Sequence, residues 1–244
     1  MSDPQGLRFD PVAEDYELGR AGWPPEVVDG VDGVVVLDLA AGTGKLTRLL
    51  VERFPRVIAV EPLAGMRAVL ERVVPEAESL EGTAEAVPLA NGSVDAAFVG
   101  EAFHWFDAEA AARELARVIR PGGMLRLVFN VWKGPFRPSI GADARRLLEG
   151  LDRKAGPGGG GKVVAGTWKR GFAGTPFTSL EERHVDHADV ADRERVVAHL
   201  VSTSAAAALP EAERQTLAEA LRTAIHDGEY RVEIDTHVYE ARRL

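Results

Sequence analysis

The sequence predicts an α/β fold: a mostly parallel, seven-stranded sheet between two helical layers, with an antiparallel strand near the C-terminal end. Three observations predict it. Val34-Val35-Val36-Leu37-Asp38-Leu39 is a β-branched, apolar run bounded by glycines, as a strand buried on both faces should be. Strand-like and helix-like segments then alternate as far as residue 130, which implies βαβ units with right-handed crossovers. Finally, Tyr230 to Tyr239 alternates apolar and polar residues with period two, the pattern of a half-solvated strand.

The elements follow in order. Pro24-Pro25 opens a short helix predicted to run to about Val31, because proline suits a first helical turn. After the first strand, Ala41-Gly42-Thr43-Gly44 breaks the chain, and Leu46, Leu49 and Leu50 recur at helical spacing. Val57–Val60 reads as strand two, Met66–Val73 as a helix, Ser79–Gly82 as strand three and Val94–Val99 as strand four. Asp107 caps a helix running to Ile119 that Pro121-Gly122-Gly123 stops, and Met124–Asn130 is strand five. Beyond it, a helix is expected over Gly141–Lys154, a flexible glycine-rich loop over Gly156–Gly161 and a strand over Phe177–Val185. Helices are expected over Asp192–Ala207 and Pro210–His226.

Composition narrows the function. The 244 residues hold 29 Lys plus Arg against 38 Asp plus Glu, a net charge of −9. Proteins that grip nucleic acid through its phosphates present a basic face, and none stands out, so no nucleic-acid partner is expected. With no cysteine, disulfides, thiolate metal sites and cysteine nucleophiles are excluded together. No apolar run reaches the roughly 18 residues that span a bilayer. The first residues lack the basic and apolar regions of a signal peptide, so a cytoplasmic protein with no membrane partner is expected. Nothing in the sequence states an oligomeric form.

The chemistry-bearing signal is Val36 to Gly44. A glycine-rich turn between a first strand and a helix lets backbone approach a ligand at the carboxyl end of a parallel sheet. Glu61 ends the second strand, where a carboxylate can accept hydrogen bonds from both hydroxyls of a ribose. Dinucleotide-binding oxidoreductases share this geometry, but their fingerprint is GxGxxG, and here Thr47 follows Gly42 and Gly44. The carboxylate of Asp38, four residues ahead of Gly42, also suits a cationic ligand better than a pyrophosphate.

Leu37-Asp-Leu-Ala-Ala-Gly-Thr-Gly44 resembles motif I of the class I, Rossmann-like S-adenosylmethionine-dependent methyltransferases, with Ala40 in place of the more usual first glycine. Val60-Glu61-Pro62 with Met66-Arg67 is similar to the family's ribose-binding segment. Gly82-Thr-Ala-Glu-Ala-Val-Pro-Leu89, followed by Ser93-Val-Asp95, resembles its adenine-side motif, with Thr83 where Asp is common. Arg117 to Gly123 resembles the turn before strand five. Tyr16, Gly19-Arg20 and Trp23-Pro24, together with Phe103-His104-Trp105-Phe106, resemble a small-molecule subgroup that includes trans-aconitate methyltransferase-like enzymes. The Asn/Asp-Pro-Pro-Tyr segment of enzymes that methylate base amines or glutamine amides is replaced by Gly100-Glu-Ala-Phe-His-Trp105.

The resemblance implies one methyltransferase domain over 1–244, with a helical lid at 1–33, a cofactor-binding core at 34–130 and an acceptor-side segment at 131–244. It implies S-adenosylmethionine as cofactor, S-adenosylhomocysteine as product and a small-molecule acceptor, with oxygen methylation favoured. Cofactor-binding positions are expected at Tyr16, Arg20, Asp38, Ala40, Gly42, Thr43, Gly44, Glu61, Pro62, Met66, Thr83, Ala84, Glu85, Gly100 and Glu101. His104, with an ordinary pKa near 6.5, is the candidate base, and Trp105, Phe106 and Trp132 the candidate acceptor pocket. An NAD(P)-dependent oxidoreductase and a non-catalytic S-adenosylmethionine binder are the alternatives.

Two look-alikes are set aside. Gly156 to Lys162 matches the spacing of a phosphate loop, but Val163 stands where Ser or Thr would hold magnesium and no strand precedes it. His184 and His187 would face opposite sides of a strand, so no metal is expected from that pair. Ala205 to Leu209 is read as a helix end, not an anchor.

Overall fold

A computed structural model describes residues 4–133, 140–155 and 159–244. The strands are β1 (Val35–Leu39), β2 (Arg56–Val60), β3 (Glu78–Leu80), β4 (Val94–Gly100), β5 (Ile119–Trp132), β6 (Glu181–Ala191) and β7 (Tyr230–Arg242). They form a seven-stranded sheet in the order β3-β2-β1-β4-β5-β7-β6. The first five pair in parallel, and β7 runs antiparallel to both β5 and β6. The helices are α1 (Ala13–Gly19), α2 (Lys45–Arg53), α3 (Ala64–Val73), α4 (Ala108–Val118), α5 (Ala142–Ala155), α6 (Gly159–Ala165), α7 (Arg193–Val201), α8 (Ser204–Ala207) and α9 (Glu211–Ala224).

Strand alternation builds the three layers. Leu37 and Leu39 enter one core with Ala111, Ala112 and Leu115 of α4, while Val36 enters another with Leu46 and Leu50 of α2. Both faces of β1 are therefore buried, which explains why its sequence is a continuous apolar run. The result is a Rossmann-like sandwich. Its strand order reverses between β1 and β4, and ligands of such sheets bind outside the carboxyl ends at that reversal. Among the described residues, no helix is long and apolar enough to cross a membrane.

One buried charge ties the N-terminal segment to the sheet. Arg126 on β5 is 2% exposed, and its guanidinium donates to the carbonyls of Val27 (2.6 Å) and Asp29 (2.9 Å) while pairing with Glu240 of β7. Burial lowers its pKa to about 10, against the pull of Glu240.

Several expected boundaries change. The helix expected from Pro24 is a single 3-10 turn, Pro25–Val28, because the chain becomes extended at Asp29. The Pro121-Gly122-Gly123 stop is already inside β5: Gly122 adopts φ +78, and a register irregularity between Val94 and Ala96 absorbs the glycines. The strand expected from Phe177 begins at Glu181, since Phe177 makes only an isolated bridge to Arg243. The helix expected over Asp192–Ala207 splits into α7 and α8 around Ser202-Thr203. The glycine-rich segment is helical from Gly159, with Val163 anchored in the α4-side core; Gly156–Gly158 lie outside the described residues.

Candidate functional site

At the carboxyl end of β1 the chain turns sharply through three left-handed residues, Ala40 (φ +56), Gly42 (φ +58) and Gly44 (φ +89). Ala40 holds this conformation at a cost of roughly 1–3 kcal/mol, as does Glu101 (φ +53) at the end of neighbouring β4. A side chain at Gly42 would meet nothing within 4 Å, so this stretch of backbone faces open space. That space is a cleft, open to solvent, at the strand-order reversal. Tyr16 and Arg20 lie on its N-terminal side, Asp38, Ala40 and Gly42 follow from β1, Gly100 and Glu101 from β4, and Asn130 and Trp132 from β5.

Three carboxyl groups surround this backbone. Asp38 is 1% exposed and accepts a hydrogen bond from the Thr47 hydroxyl at 2.6 Å. Glu61 is 3% exposed and accepts from the backbone N–H groups of Gly42 and Leu63, both at 2.9 Å. Glu101 accepts from the Asn130 N–H at 2.6 Å. Burial pushes all three up to about 7. The Gly42 bond brings the glycine turn and the β2 carboxylate together, although 19 residues separate them.

The cationic counterpart is Arg20, whose guanidinium lies 4.9 Å from the Tyr16 ring centroid and donates to the Ser202 carbonyl at 2.9 Å. It belongs to a segment held close against α7: a Cβ on Gly19 would fall 2.1 Å from the backbone nitrogen of His199. His199 is buried against Trp132, ring centroids 4.8 Å apart, and burial together with Arg20 lowers its pKa to about 3.

Residues 37–127 match the methyltransferase domain family. Over this stretch the chain is similar to methyltransferase domains. An uncharacterized methyltransferase of Mycobacterium tuberculosis is 49% identical over 127 residues, covering 51% of this chain and 52% of that protein. An uncharacterized methyltransferase-like protein of Schizosaccharomyces pombe is 33% identical over 174 residues, covering 68% of this chain and 65% of that one. The chain thus spans about half the length of the first of these relatives and about two thirds of the second. A provisionally assigned type II methyltransferase from Anaeromyxobacter dehalogenans shares the fold with a TM-score of 0.63 at 23% identity, covering 91% of this chain and 97% of that one.

Not every expected site residue lines the cleft: Glu61 touches it only through its bond to the Gly42 N–H. Thr43 turns its hydroxyl to Glu17 (2.7 Å), and Gly44 opens α2 from below the turn. The Pro62 carbonyl accepts from Arg67, and Met66 packs with Ala13 and Tyr16 beneath the N-terminal segment. Thr83 bridges to Ala86, Ala84 is core, and Glu85 accepts from the Asp107 N–H. The expected pocket of Trp105 and Phe106 is corrected: both pack in the α4-side core with Phe103 and Trp168, because the 3-10 turn at Phe103–Trp105 carries them away from the cleft. His104 lies with them, its ring centroid 4.6 Å from that of Trp105 and 5.8 Å from that of Phe129, and is not among the cleft residues. Trp132 alone of the three aromatics lines it. Sequence reasoning missed Ala21, Trp23, Ala41, Lys45, Leu46 and Asn130 as lining residues; the position of Asn130 at the end of strand five was an available signal.

Proposed function

We propose that the protein transfers a methyl group from S-adenosylmethionine to a small-molecule acceptor, with oxygen favoured by the family resemblance. The observation that carries this is the charge pattern of the cleft. The buried carboxyls of Asp38 and Glu101 line it with the cations of Arg20 and Lys45, and Glu61 is bonded to its Gly42 backbone, a pattern that suits a ligand bearing a sulfonium, an ammonium and a carboxylate. In this reading Glu61 takes the ribose hydroxyls, since each of its oxygens keeps a lone pair beyond the bonds from Gly42 and Leu63. Arg20 meets the carboxylate, and Asp38 and Glu101 stabilise positive charge.

When bound, the cofactor supplies a sulfonium methyl that an acceptor lone pair displaces in line, leaving neutral S-adenosylhomocysteine. The protein's contribution is positioning and exclusion of water, which together are worth several kcal/mol. Tyr16 and Trp132 supply apolar surface within the cleft, against which an acceptor would lie. A cytoplasmic setting without nucleic-acid partners, expected from the cysteine-free and acidic composition, belongs to this proposal.

Titration calorimetry with S-adenosylmethionine tests it. Binding to the parent chain and its collapse in Glu61→Ala are expected. An unchanged affinity in that variant would refute the site.

A further inference from the structure

Strands β6 and β7 carry a second constellation on the face that also presents Tyr239 to the α4-side core. His184 and His237 stand directly opposite in the antiparallel register, and Glu182 and Asp235 lie two residues from them along the same face. Directly opposed positions bring Cβ atoms to about 5 Å, close enough for two imidazoles to share a ligand. The ring centroids are 4.1 Å apart. Glu182 Oε1 sits 3.4 Å from His184 Nε2 and 3.4 Å from His237 Nδ1. One ligand atom from each of these three residues lies within 4.8 Å of the others.

We propose that Glu182, His184 and His237 form a binding site for a divalent transition-metal ion, zinc being the reference case. With Zn–N and Zn–O bonds of about 2.0–2.2 Å, tetrahedral ligands stand about 3.4 Å apart, the spacing found on both sides of Glu182. Imidazole nitrogen and carboxylate oxygen suit zinc, nickel or copper, whereas calcium and magnesium prefer oxygen alone. Asp235 supplies the outer support such a site needs. Its Oδ2 lies 2.9 Å from His184 Nδ1 and 3.3 Å from His237 Nε2, the ring nitrogens that the ion would not use. A carboxylate there fixes the tautomer and orientation of both rings. Tyr239, whose hydroxyl donates to Glu182 Oε1 at 2.6 Å, and Lys169, at 3.2 Å from Glu182 Oε2, hold the third ligand in place. The fourth position faces solvent, because His184 and Glu182 are partly exposed. The ion would clasp β6 to β7 across the sheet edge, outside the cleft assigned to the cofactor.

The test uses the untagged full chain and zinc chloride alone, in competition with a chromophoric chelator, with cobalt chloride as a spectroscopic probe. One zinc ion per chain is expected, together with the intense visible absorption of tetrahedral cobalt. Affinity should fall at least a hundredfold in His184→Ala and in His237→Ala. Asp235→Asn should weaken binding about 10- to 100-fold while preserving the stoichiometry. Circular dichroism of each variant confirms folding, and Glu182→Gln provides an independent ligand deletion with less change in volume. Absence of zinc binding by the folded parent chain overturns the proposal. So does binding that survives unchanged in His237→Ala.

Discussion

Proton release on cofactor binding gives the sharpest prediction. Asp38, Glu61 and Glu101 are all raised to about 7 by burial, so near neutral pH the free folded protein retains protons that ordinary carboxyls have lost. The folded pKa of each group lies above its unfolded value. Their contribution to stability is therefore complete below about pH 4 and disappears as pH rises through about 7. For Asp38, a rise from 3.8 to about 7 corresponds to at most on the order of 4 kcal/mol. A ligand carrying sulfonium and ammonium charges favours the ionised forms and reverses the preference. A carboxyl that titrates near 7 when free, and in the ordinary range when bound, makes affinity about tenfold tighter at pH 8 than at pH 6. Two such groups give about a hundredfold, and each releases about half a proton at pH 7. His199, held near 3, stays neutral throughout this interval. Calorimetry of S-adenosylmethionine binding in buffers of different ionisation enthalpy measures the release directly. An enthalpy independent of buffer at pH 7, with affinity flat from pH 6 to 8, would contradict the assignment of these carboxyls to the cofactor.

Three further outcomes follow from packing. Arg126→Met should destabilise the fold by about 3–5 kcal/mol in urea titrations, because Glu240 loses its buried partner and two carbonyls lose their donor. A cost below about 1 kcal/mol would mean that this charge is dispensable. Gly19→Ala should cost about 1–3 kcal/mol and weaken S-adenosylmethionine binding, since the added methyl collides with α7 and displaces Arg20; a melt and a titration check both effects. His104→Ala should leave S-adenosylmethionine affinity within about threefold while removing about 1 kcal/mol of ring contacts, and a large loss of affinity would move His104 back into the site.

The part of the site that was legible in the sequence is the part written in backbone. A β-branched run broken by Gly42 and Gly44 announces a strand, a left-handed turn and a helix, and the structure has all three. Glu61 was legible for a related reason: an acid at the end of an apolar strand needs a polar purpose, and its bond to the Gly42 N–H supplies one. Side-chain direction after β4 was not legible. Phe103 to Phe106 occupy a single 3-10 turn, and no periodicity says which way so short an element faces, so aromatics expected in a pocket proved to be core. Register between distant strands was equally hidden. His187, the neighbour of His184 along β6, faces the other side of the strand; the counterpart of His184 is His237, which only the β6–β7 pairing reveals.

The strand order also constrains how the chain assembles during synthesis. β6 has a single neighbour in the sheet, β7, and α7, α8 and α9 lie between the two in sequence. A nascent chain that has emerged only as far as Ala224 therefore carries a polar ribbon, Glu181–Ala191, with unsatisfied amides and carbonyls along its length, while β5 presents an equally bare flank. Both are covered in one event, when Tyr230–Arg242 slots between them. Until then the unfinished sheet offers two sticky borders to any neighbour. Chaperone engagement should accordingly peak in that interval of translation, after the main-chain framework of the cleft between β1 and β4 has already been synthesised.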